Sequence, residues 1–535
     1  MSHPGRRTFI RALTLLPFSG GVAVHSRGGQ HLDAFHRGWN HPWIGYGHDF
    51  GRAWGHDGLS TSGWTCDTDP SSLGFTESEV TIDPTSGRGA LRIRVDFLAG
   101  HPNRSRGGVS VSLLDHWPFA CPPPATRAGL NLDGVLARLR IRLPRGSAGG
   151  PNGTNALQLI LKTRVSAERW PSLHTAPVRI DPAWEERDVE IPMLLDARTA
   201  SYSEPGVDLR NVSIIGLAMT TEAGGPARPI AGTIWIDDFV LETDPPLTFD
   251  FEQSEFEAQI GHARRRRGRA MSLVRFFVFC DGRAAPGFAP DGRVVRLDDV
   301  FYRDFDVLVR AAERQGVLLM PVLLDYGWCA YPTLVSGVQL GGHAEVVRDP
   351  AIRQTFFDHA LTPLLERYGK HPSIYAWDVC NEPEWIIGEV PDAFRRNHDV
   401  VSLAEMRAFV QGCAALVHRL TPTQLVTVGS ARRKWVQLWT ECGLDLYQFH
   451  WYDHFAAEEP FPWGSYDELG LDRPCLVGEV PTESTAISQQ EFVAGAEAGG
   501  YSGLLFWSYG ARDPFSNLCA EPERPLRRPR RSPHS

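Results

Sequence analysis

The stretch Tyr375-Ala376-Trp377-Asp378-Val379-Cys380-Asn381-Glu382-Pro383 decides the fold. It predicts a short apolar strand that ends at a glutamate, where Pro383 prevents the strand from continuing. Pro474-Cys475-Leu476-Val477-Gly478-Glu479-Val480-Pro481 is a second stretch of the same kind. The strands of a parallel barrel end on one face, so we expect Glu382 and Glu479 to share a cleft there.

Strands and helices alternate from about residue 250 onward. Apolar residues recur at helical spacing between Ile352 and Leu365, and Ser402 with Glu405 forms a capping box at the start of another helix. This alternation predicts an α/β fold, a (β/α)₈ TIM barrel. The candidate strands are Leu273–Phe279, Val317–Leu324, Ile374–Val379, Leu425–Val428, Leu446–His450, Cys475–Gly478 and Gly503–Trp507.

These candidates supply seven strands, and a barrel of this kind needs eight. We expect the missing strand upstream, at Trp43-Ile44-Gly45-Tyr46-Gly47. The residues in between predict an all-β domain, because apolar and polar residues alternate in stretches such as 91–97, with turn residues separating them. A β-sandwich over 59–246 would then be inserted in the first loop of the barrel. The alternative is that Leu247–Phe251 is strand one and the sandwich is an N-terminal domain.

Composition and the chain ends set further limits. A chain of 535 residues is too long for one core, and a net charge of −9 argues against a dedicated nucleic-acid binder. Arg6-Arg7 before a short apolar run predicts a twin-arginine export signal over residues 1–30, hence a periplasmic or extracellular protein without membrane insertion. The first barrel strand and loop would occupy 31–58, the rest of the barrel 247–518, and a disordered basic tail 519–535. We expect a monomer.

The two strand-end glutamates suit one kind of chemistry. Hydrolysis of an acetal needs a proton donor for the leaving oxygen and a second carboxylate that meets the oxocarbenium-like centre. An arginine such as Arg275, in the candidate strand Leu273–Phe279 that would be the second strand of the barrel, would keep a nearby carboxylate ionised. His450 and Tyr452 lie on one face of their strand. Glu384 lies past the strand end, and we expect it to be less important.

The order of these motifs resembles clan A glycoside hydrolases, most closely family 5 of the cellulase and mannanase type, over residues 39–50 and 270–510. The resemblance implies a retaining β-glycosidase that acts on oligo- or polysaccharides such as β-glucan or β-mannan and needs no cofactor or metal. The resemblance implies that Glu382 is the acid/base and that Glu479 is the nucleophile, supported by Arg275. It implies that Asn381 binds the sugar 2-hydroxyl. It also implies that His450 and Tyr452 are the His-x-Tyr pair of the family and that Trp507 is a platform on which a sugar ring stacks.

Some features depart from this pattern. The family has a histidine at the end of strand three, where this chain has Asp325, which we expect to take over part of its role in substrate binding. This departure leaves open a non-catalytic glycan-binding scaffold with a degenerate barrel. Whether the substrate is gluco- or manno-configured, and whether cleavage is endo or exo, also stays open. The candidate sugar-stacking residues are Trp43, Tyr46, Trp328, Trp385 and Trp451.

The predicted sandwich resembles a galactose-binding-like carbohydrate-binding module, chiefly at Thr233-Ile234-Trp235-Ile236-Asp237-Asp238-Phe239. The resemblance implies that this domain binds glycan. Paired surface acids such as Asp237 and Asp238 do not usually hold Ca²⁺, so we expect no metal there.

Overall fold

A computed structural model gives the structure of the protein. It describes residues 35–42, 63–67, 70–113, 129–149, 154–166, 169–222, 224–244, 246–249, 251, 255–268, 270–283, 285–335, 338–391, 396–421, 423–509 and 513–518. The predicted export signal and basic tail lie outside these residues. No helix in the described part of the chain is long and apolar enough to cross a membrane.

Eight parallel strands close into a barrel, as the sequence predicted. The interior of the barrel at its N-terminal end is filled by apolar side chains from alternate positions, among them Leu273, Met320, Tyr375 and Leu425. This packed interior leaves only the opposite end, where the strands finish, for a polar site. In order around the barrel, the strands are His36–Asn40, Met271–Cys280, Leu318–Asp325, Ala376–Asn381, Leu425–Ser430, Tyr447–His450, Cys475–Pro481 and Gly503–Trp507.

The first barrel strand is His36–Asn40, which pairs with the second and the eighth strands. The sequence prediction of a strand upstream was therefore right, but its position was wrong. The aromatic stretch 43–47 lies outside the described residues. The true strand was overlooked because only Trp39 in it is strongly apolar. Its last residue, Asn40, is buried and donates to the carbonyl oxygen of Gly478, so its polarity serves the barrel interior.

Helices cover the outside of the barrel. The helix Asp299–Gln315 begins at the Asp298 cap, whose side chain accepts from the Phe301 amide, and ends at Gly316 in the left-handed conformation. The predicted capping box of Ser402 and Glu405 is present at the start of the helix Leu403–Leu420. The helices are α1 (Glu255–Arg267), α2 (Asp299–Gln315), α3 (Glu345–Arg348), α4 (Pro350–Phe356), α5 (Thr362–Tyr368), α6 (Leu403–Leu420) and α7 (Gln489–Ala498).

Two antiparallel sheets lie in the chain between the first and second barrel strands, and they share one apolar core. One sheet consists of Asp188–Leu194, Leu136–Arg142, Ile230–Leu241, Gly89–Phe97 and Phe75–Ile82, with Leu247–Phe249 beside Ile230–Leu241. The other consists of Tyr202–Ser203, Ser172–His174, Ala156–Thr163, Val212–Thr220, Arg106–Ser112 and Thr65–Cys66, with Val178–Arg179 beside Ala156–Thr163.

The alternative placement of strand one is wrong. Leu247–Phe249 pairs with Ile230–Leu241 in the first antiparallel sheet and takes no part in the barrel. The two domains touch through an ion pair between Glu77 of this sheet and Arg303 of α2. Asp238 on the same sheet pairs with Arg140 and Arg88, which shows how its carboxylate is compensated. That the sandwich binds glycan stays a prediction.

Candidate active site

Glu382 lies directly after the fourth barrel strand, as the sequence predicted. Its backbone is left-handed, with φ of 50° and ψ of 46°, and its amide donates to the carbonyl oxygen of Gly429 at 2.6 Å. A non-glycine residue in this region is uncommon, and such residues concentrate at functional sites. The Trp385 indole N–H donates to Glu382 Oε2 at 2.8 Å. The turn therefore fixes the direction in which this carboxylate points.

Glu479 lies on the seventh strand, which continues past it to Pro481. Its side chain is buried. Arg275 Nη1 donates to Oε1 at 2.7 Å, and the Tyr452 hydroxyl donates to Oε2 at 2.6 Å. Each oxygen of the carboxylate thus has a strong donor, which holds it in place and favours its ionised form.

His450 stands between the two glutamates. Its Nδ1 lies 2.8 Å from Glu382 Oε1 and 3.5 Å from Glu479 Oε1. One carboxylate oxygen of each glutamate and the histidine nitrogen all lie within 4.8 Å of one another. The fold therefore brings two glutamates that are 97 positions apart in the sequence close enough for both to contact the same small chemical group.

Arg275 organises the floor of the site and is almost fully buried. Besides Glu479, its guanidinium donates to Asp378 Oδ2 at 2.9 Å, to Asn40 Oδ1 at 2.9 Å and to Asn381 Oδ1 at 2.7 Å. Four side chains from three other barrel strands are thus tied to a single planar cation, a geometry that arginine provides and lysine does not.

The environment of the two glutamates sets their proton affinities. Burial raises the pKa of Glu382 to about 7, although the Trp385 N–H and Arg275 act against this effect. Burial also raises the pKa of Glu479, while His450 and Arg275 oppose it. Glu382 can therefore hold a proton near neutral pH, and Glu479 has the partners that a carboxylate anion needs.

Burial lowers the pKa of His450 to about 4, so this ring is neutral near neutral pH. A neutral imidazole can donate from Nδ1 to an ionised Glu382, or accept at Nδ1 from a protonated one. The 2.8 Å contact accordingly suits both protonation states of Glu382. The His450 ring is buried, and its Nδ1 lies against both glutamates.

Asp325 lies at the end of the third strand and accepts from Asn381 Nδ2 at 2.9 Å and from the Gly327 amide at 2.8 Å. Burial raises the pKa of Asp325 to about 7. Asn381 is thus held from both ends of its amide, by Arg275 and by Asp325. The structure brings all of these predicted residues together at the same end of the barrel.

The aromatic residues predicted to stack on sugar differ in how far they are buried. Trp507 is half-buried at the end of strand eight, and its indole donates to Asp513 Oδ2 at 2.8 Å. Trp328 and Trp451 are each 1% exposed and donate to backbone carbonyls, so they belong to the core and their prediction as sugar-stacking residues was wrong. Trp43 and Tyr46 lie outside the described residues.

Sequence reasoning missed three residues of the site. Asn40 and Asp378 bind Arg275, and a charged residue in the middle of an apolar strand was the available signal for Asp378. Glu384, which was expected to be less important, is fully buried and accepts three hydrogen bonds from Ser430, Ala431 and Trp439. Its polarity alone gave no sign that it would be buried.

In the described part of the chain, Glu382, His450 and Glu479 also lie close enough together to hold a metal ion. The Arg275 guanidinium already occupies Glu479 Oε1, and a cation at that oxygen would be repelled by it. The arrangement is therefore better suited to a pair of carboxylates without a metal ion than to a metal centre.

Comparisons with known proteins find mannanases among the similar sequences and structures. The chain is 27% identical over 292 residues to a mannan endo-1,4-beta-mannosidase of Mytilus edulis. The matched region covers 48% of this chain and 77% of that protein. A mannan endo-1,4-beta-mannosidase of Cryptopygus antarcticus is 24% identical over 296 residues, or 46% of this chain and 73% of that one. The solved β-mannanase of Mytilus edulis superposes with a TM-score of 0.42 and 24% identity over 50% of this chain and 82% of that chain. No family model matches the sequence.

Proposed function

We propose that this chain, a family 5-like glycoside hydrolase of clan A, cleaves β-linked mannan by double displacement, with Glu479 as nucleophile and Glu382 as acid/base. The observation that carries the proposal is the carboxylate pair, whose nearest oxygens lie within 4.8 Å. Retaining glycosidases hold their two carboxyl groups about 5–5.5 Å apart, whereas inverting enzymes leave about 6.5–9.5 Å for a water molecule. The spacing supports the retaining class.

In the first step, a Glu479 oxygen attacks the anomeric carbon while the bond from that carbon to the leaving oxygen breaks. Glu382 gives its proton to the leaving oxygen, which departs as a hydroxyl group. Arg275 and Tyr452 keep Glu479 ionised and aimed before attack, because each binds one of its oxygens. The raised pKa of Glu382, about 7, lets it carry the proton that this step consumes.

In the second step, water attacks the anomeric carbon of the glycosyl ester and gives a proton to Glu382. The bond from the anomeric carbon to Glu479 breaks, and both glutamates return to their starting states. The charge on Glu479 is absent in the ester, which lowers the pKa of Glu382 and lets it act as a base. Neutral His450, 2.8 Å away, accommodates either state of Glu382 by a change of tautomer.

The assignment of mannan rests on the sequence relatives, which are named mannan endo-1,4-beta-mannosidases. Asn381 lies beside the carboxylate pair with its amide held by Arg275 and Asp325, and we assign to it the sugar hydroxyl next to the anomeric carbon. Trp507 has an exposed portion at the barrel mouth that suits an apolar sugar face.

The test is a pair of variants. Glu479→Gln should abolish release of reducing sugar from mannan, because no nucleophile remains. Glu382→Ala should lose activity on mannan but keep it on aryl mannosides with good leaving groups, and added azide should restore turnover as a glycosyl azide. If either variant cleaves mannan at the parental rate, the assignment fails. Mannan binding without cleavage by the parent protein would point to a scaffold.

A further inference from the structure

Glu384 is a fully buried carboxylate two residues beyond the proposed acid/base. Ser430 Oγ and Trp439 Nε1 donate to its Oε1 at 2.6 Å and 2.7 Å, and the Ala431 amide donates to its Oε2 at 3.0 Å. None of these three donors is a cation. Burying a carboxylate costs free energy unless hydrogen bonds compensate it. We therefore expect these three hydrogen bonds to hold Glu384 and its donors together, which a smaller apolar residue would not do.

The donors show what Glu384 holds together. Ser430 is the last residue of the fifth barrel strand, and Ala431 follows it. Trp439 ends the 3₁₀ segment Arg433–Trp439 in the next loop. Glu384 itself belongs to the 3₁₀ turn Pro383–Ile386 after strand four. The carboxylate therefore fastens the turn after strand four to the end of strand five and to the loop beyond it.

Glu382 is also bound to the end of the fifth barrel strand. Its amide donates to the carbonyl oxygen of Gly429, the residue before Ser430, at 2.6 Å. Pro383 lies between the two attachments and restricts the backbone. With both sides fixed, Glu382 is kept in its left-handed conformation, which puts its carboxylate against Trp385 and His450. Without the second attachment, the turn could relax to an ordinary conformation and turn that carboxylate away.

We propose that Glu384 is the positioning residue of the acid/base: its buried carboxylate locks the turn that holds Glu382 in its left-handed conformation, against Trp385 and His450. The inference rests on the proposed role of Glu382. A carboxylate suits the task because it is an acceptor at both oxygens. A glutamine would keep the shape, but its amide nitrogen would meet either the Ala431 N–H or the Ser430 and Trp439 donors.

The test compares two mannose-based substrates that differ in whether the leaving group needs a proton. A dinitrophenyl mannobioside has a leaving group that departs without a proton, whereas mannohexaose needs the acid. Glu384→Gln should lower kcat/KM on mannohexaose by about 30-fold or more, a large part of the ~10²–10⁴-fold that general acid catalysis contributes. On the dinitrophenyl substrate, kcat/KM should stay within about threefold of the parent, because the nucleophile is unaffected.

Glu389→Gln is the matched control, since Glu389 is an exposed acid of the same loop that accepts from the Leu403 amide. It should leave both substrates unchanged. Equal loss on both substrates with Glu384→Gln would show a general structural role and overturn the proposal, as would no loss on either. If the parent does not cleave mannan, or Glu479→Gln does, the proposed function itself fails, which is a separate result.

Two milder variants keep the proposal testable if Glu384→Gln does not fold. Trp439→Phe and Ser430→Ala each remove one donor to Glu384 while leaving the carboxylate in place. Each should show the same selective loss on mannohexaose, smaller in size, and the two together should approach the effect of Glu384→Gln. Equal losses on both substrates in these variants would contradict the positioning role.

Discussion

Replacement of Arg275 by lysine should keep the positive charge but lose the geometry on which the site depends. The guanidinium donates four hydrogen bonds from three nitrogens to Asn40, Asp378, Asn381 and Glu479. A lysine has one nitrogen at the end of a flexible chain, so we expect it to satisfy two of these four partners. The other two would be left buried with weaker contacts.

The magnitude follows from those two contacts. A hydrogen bond to a charged group contributes about 1.5–3 kcal/mol, so the loss of two at the lower value costs about 3 kcal/mol. One factor of ten in rate corresponds to about 1.4 kcal/mol, which predicts a fall of about 100-fold in kcat/KM on mannan. Arg275→Met should cost more, because Asp378 and Glu479 then lose their shared cation.

The assay is the pH dependence of kcat/KM for parent, Arg275→Lys and Arg275→Met, with circular dichroism to show that each is folded. Arg275 favours the ionised form of Glu479, so its removal raises the pKa of Glu479 and should move the acidic limb of the profile to higher pH. Arg367→Lys, at an exposed pair with Asp306, is the control. An unchanged kcat/KM, or an acidic limb that stays in place in Arg275→Met, would refute the reasoning.

Two further substitutions test the partners of each glutamate. Tyr452→Phe removes the 2.6 Å bond to Glu479 and should lower kcat/KM by roughly 10- to 150-fold, the equivalent of about 1.5–3 kcal/mol; a change below threefold would contradict the role. Trp385→Phe removes an N–H that favours ionised Glu382, so the pKa of Glu382 should rise further above its value of about 7. Because the acid must be protonated, the basic limb of the pH profile should move to higher pH, and a move to lower pH would be inconsistent with this account.

The fold could be predicted from the sequence because its strongest signals are local. Seven barrel strands are mostly apolar and buried on both faces, which is typical of parallel barrel strands. The remaining strand, the first barrel strand His36–Asn40, has no such run, because Arg37 is exposed enough to pair with Glu497 and Asn40 faces the polar end of the interior. A strand whose sequence is set by its place in the site is hard to find from hydrophobicity alone.

The site was predictable where a residue lies at or near the C-terminal end of a strand, since the barrel collects those ends on one face. Glu382, Glu479, Asn381 and Asp325 are of this kind. The role of Glu384 could not be read from the sequence, because a glutamate beyond a strand end is ordinarily exposed. Only the three-dimensional arrangement shows donors from a neighbouring strand and loop converging on it.

Proton NMR of the first product released from mannotriosyl fluoride or an aryl mannotrioside tests the central claim most directly. Carboxylate oxygens within 4.8 Å of each other are closer than the about 6.5–9.5 Å that inverting enzymes leave for a water molecule between base and sugar, so we expect Glu479 itself to be the nucleophile. The account predicts that the β-anomer appears first and the α-anomer grows only by mutarotation. Initial release of the α-anomer would contradict it, because that product requires direct attack by water.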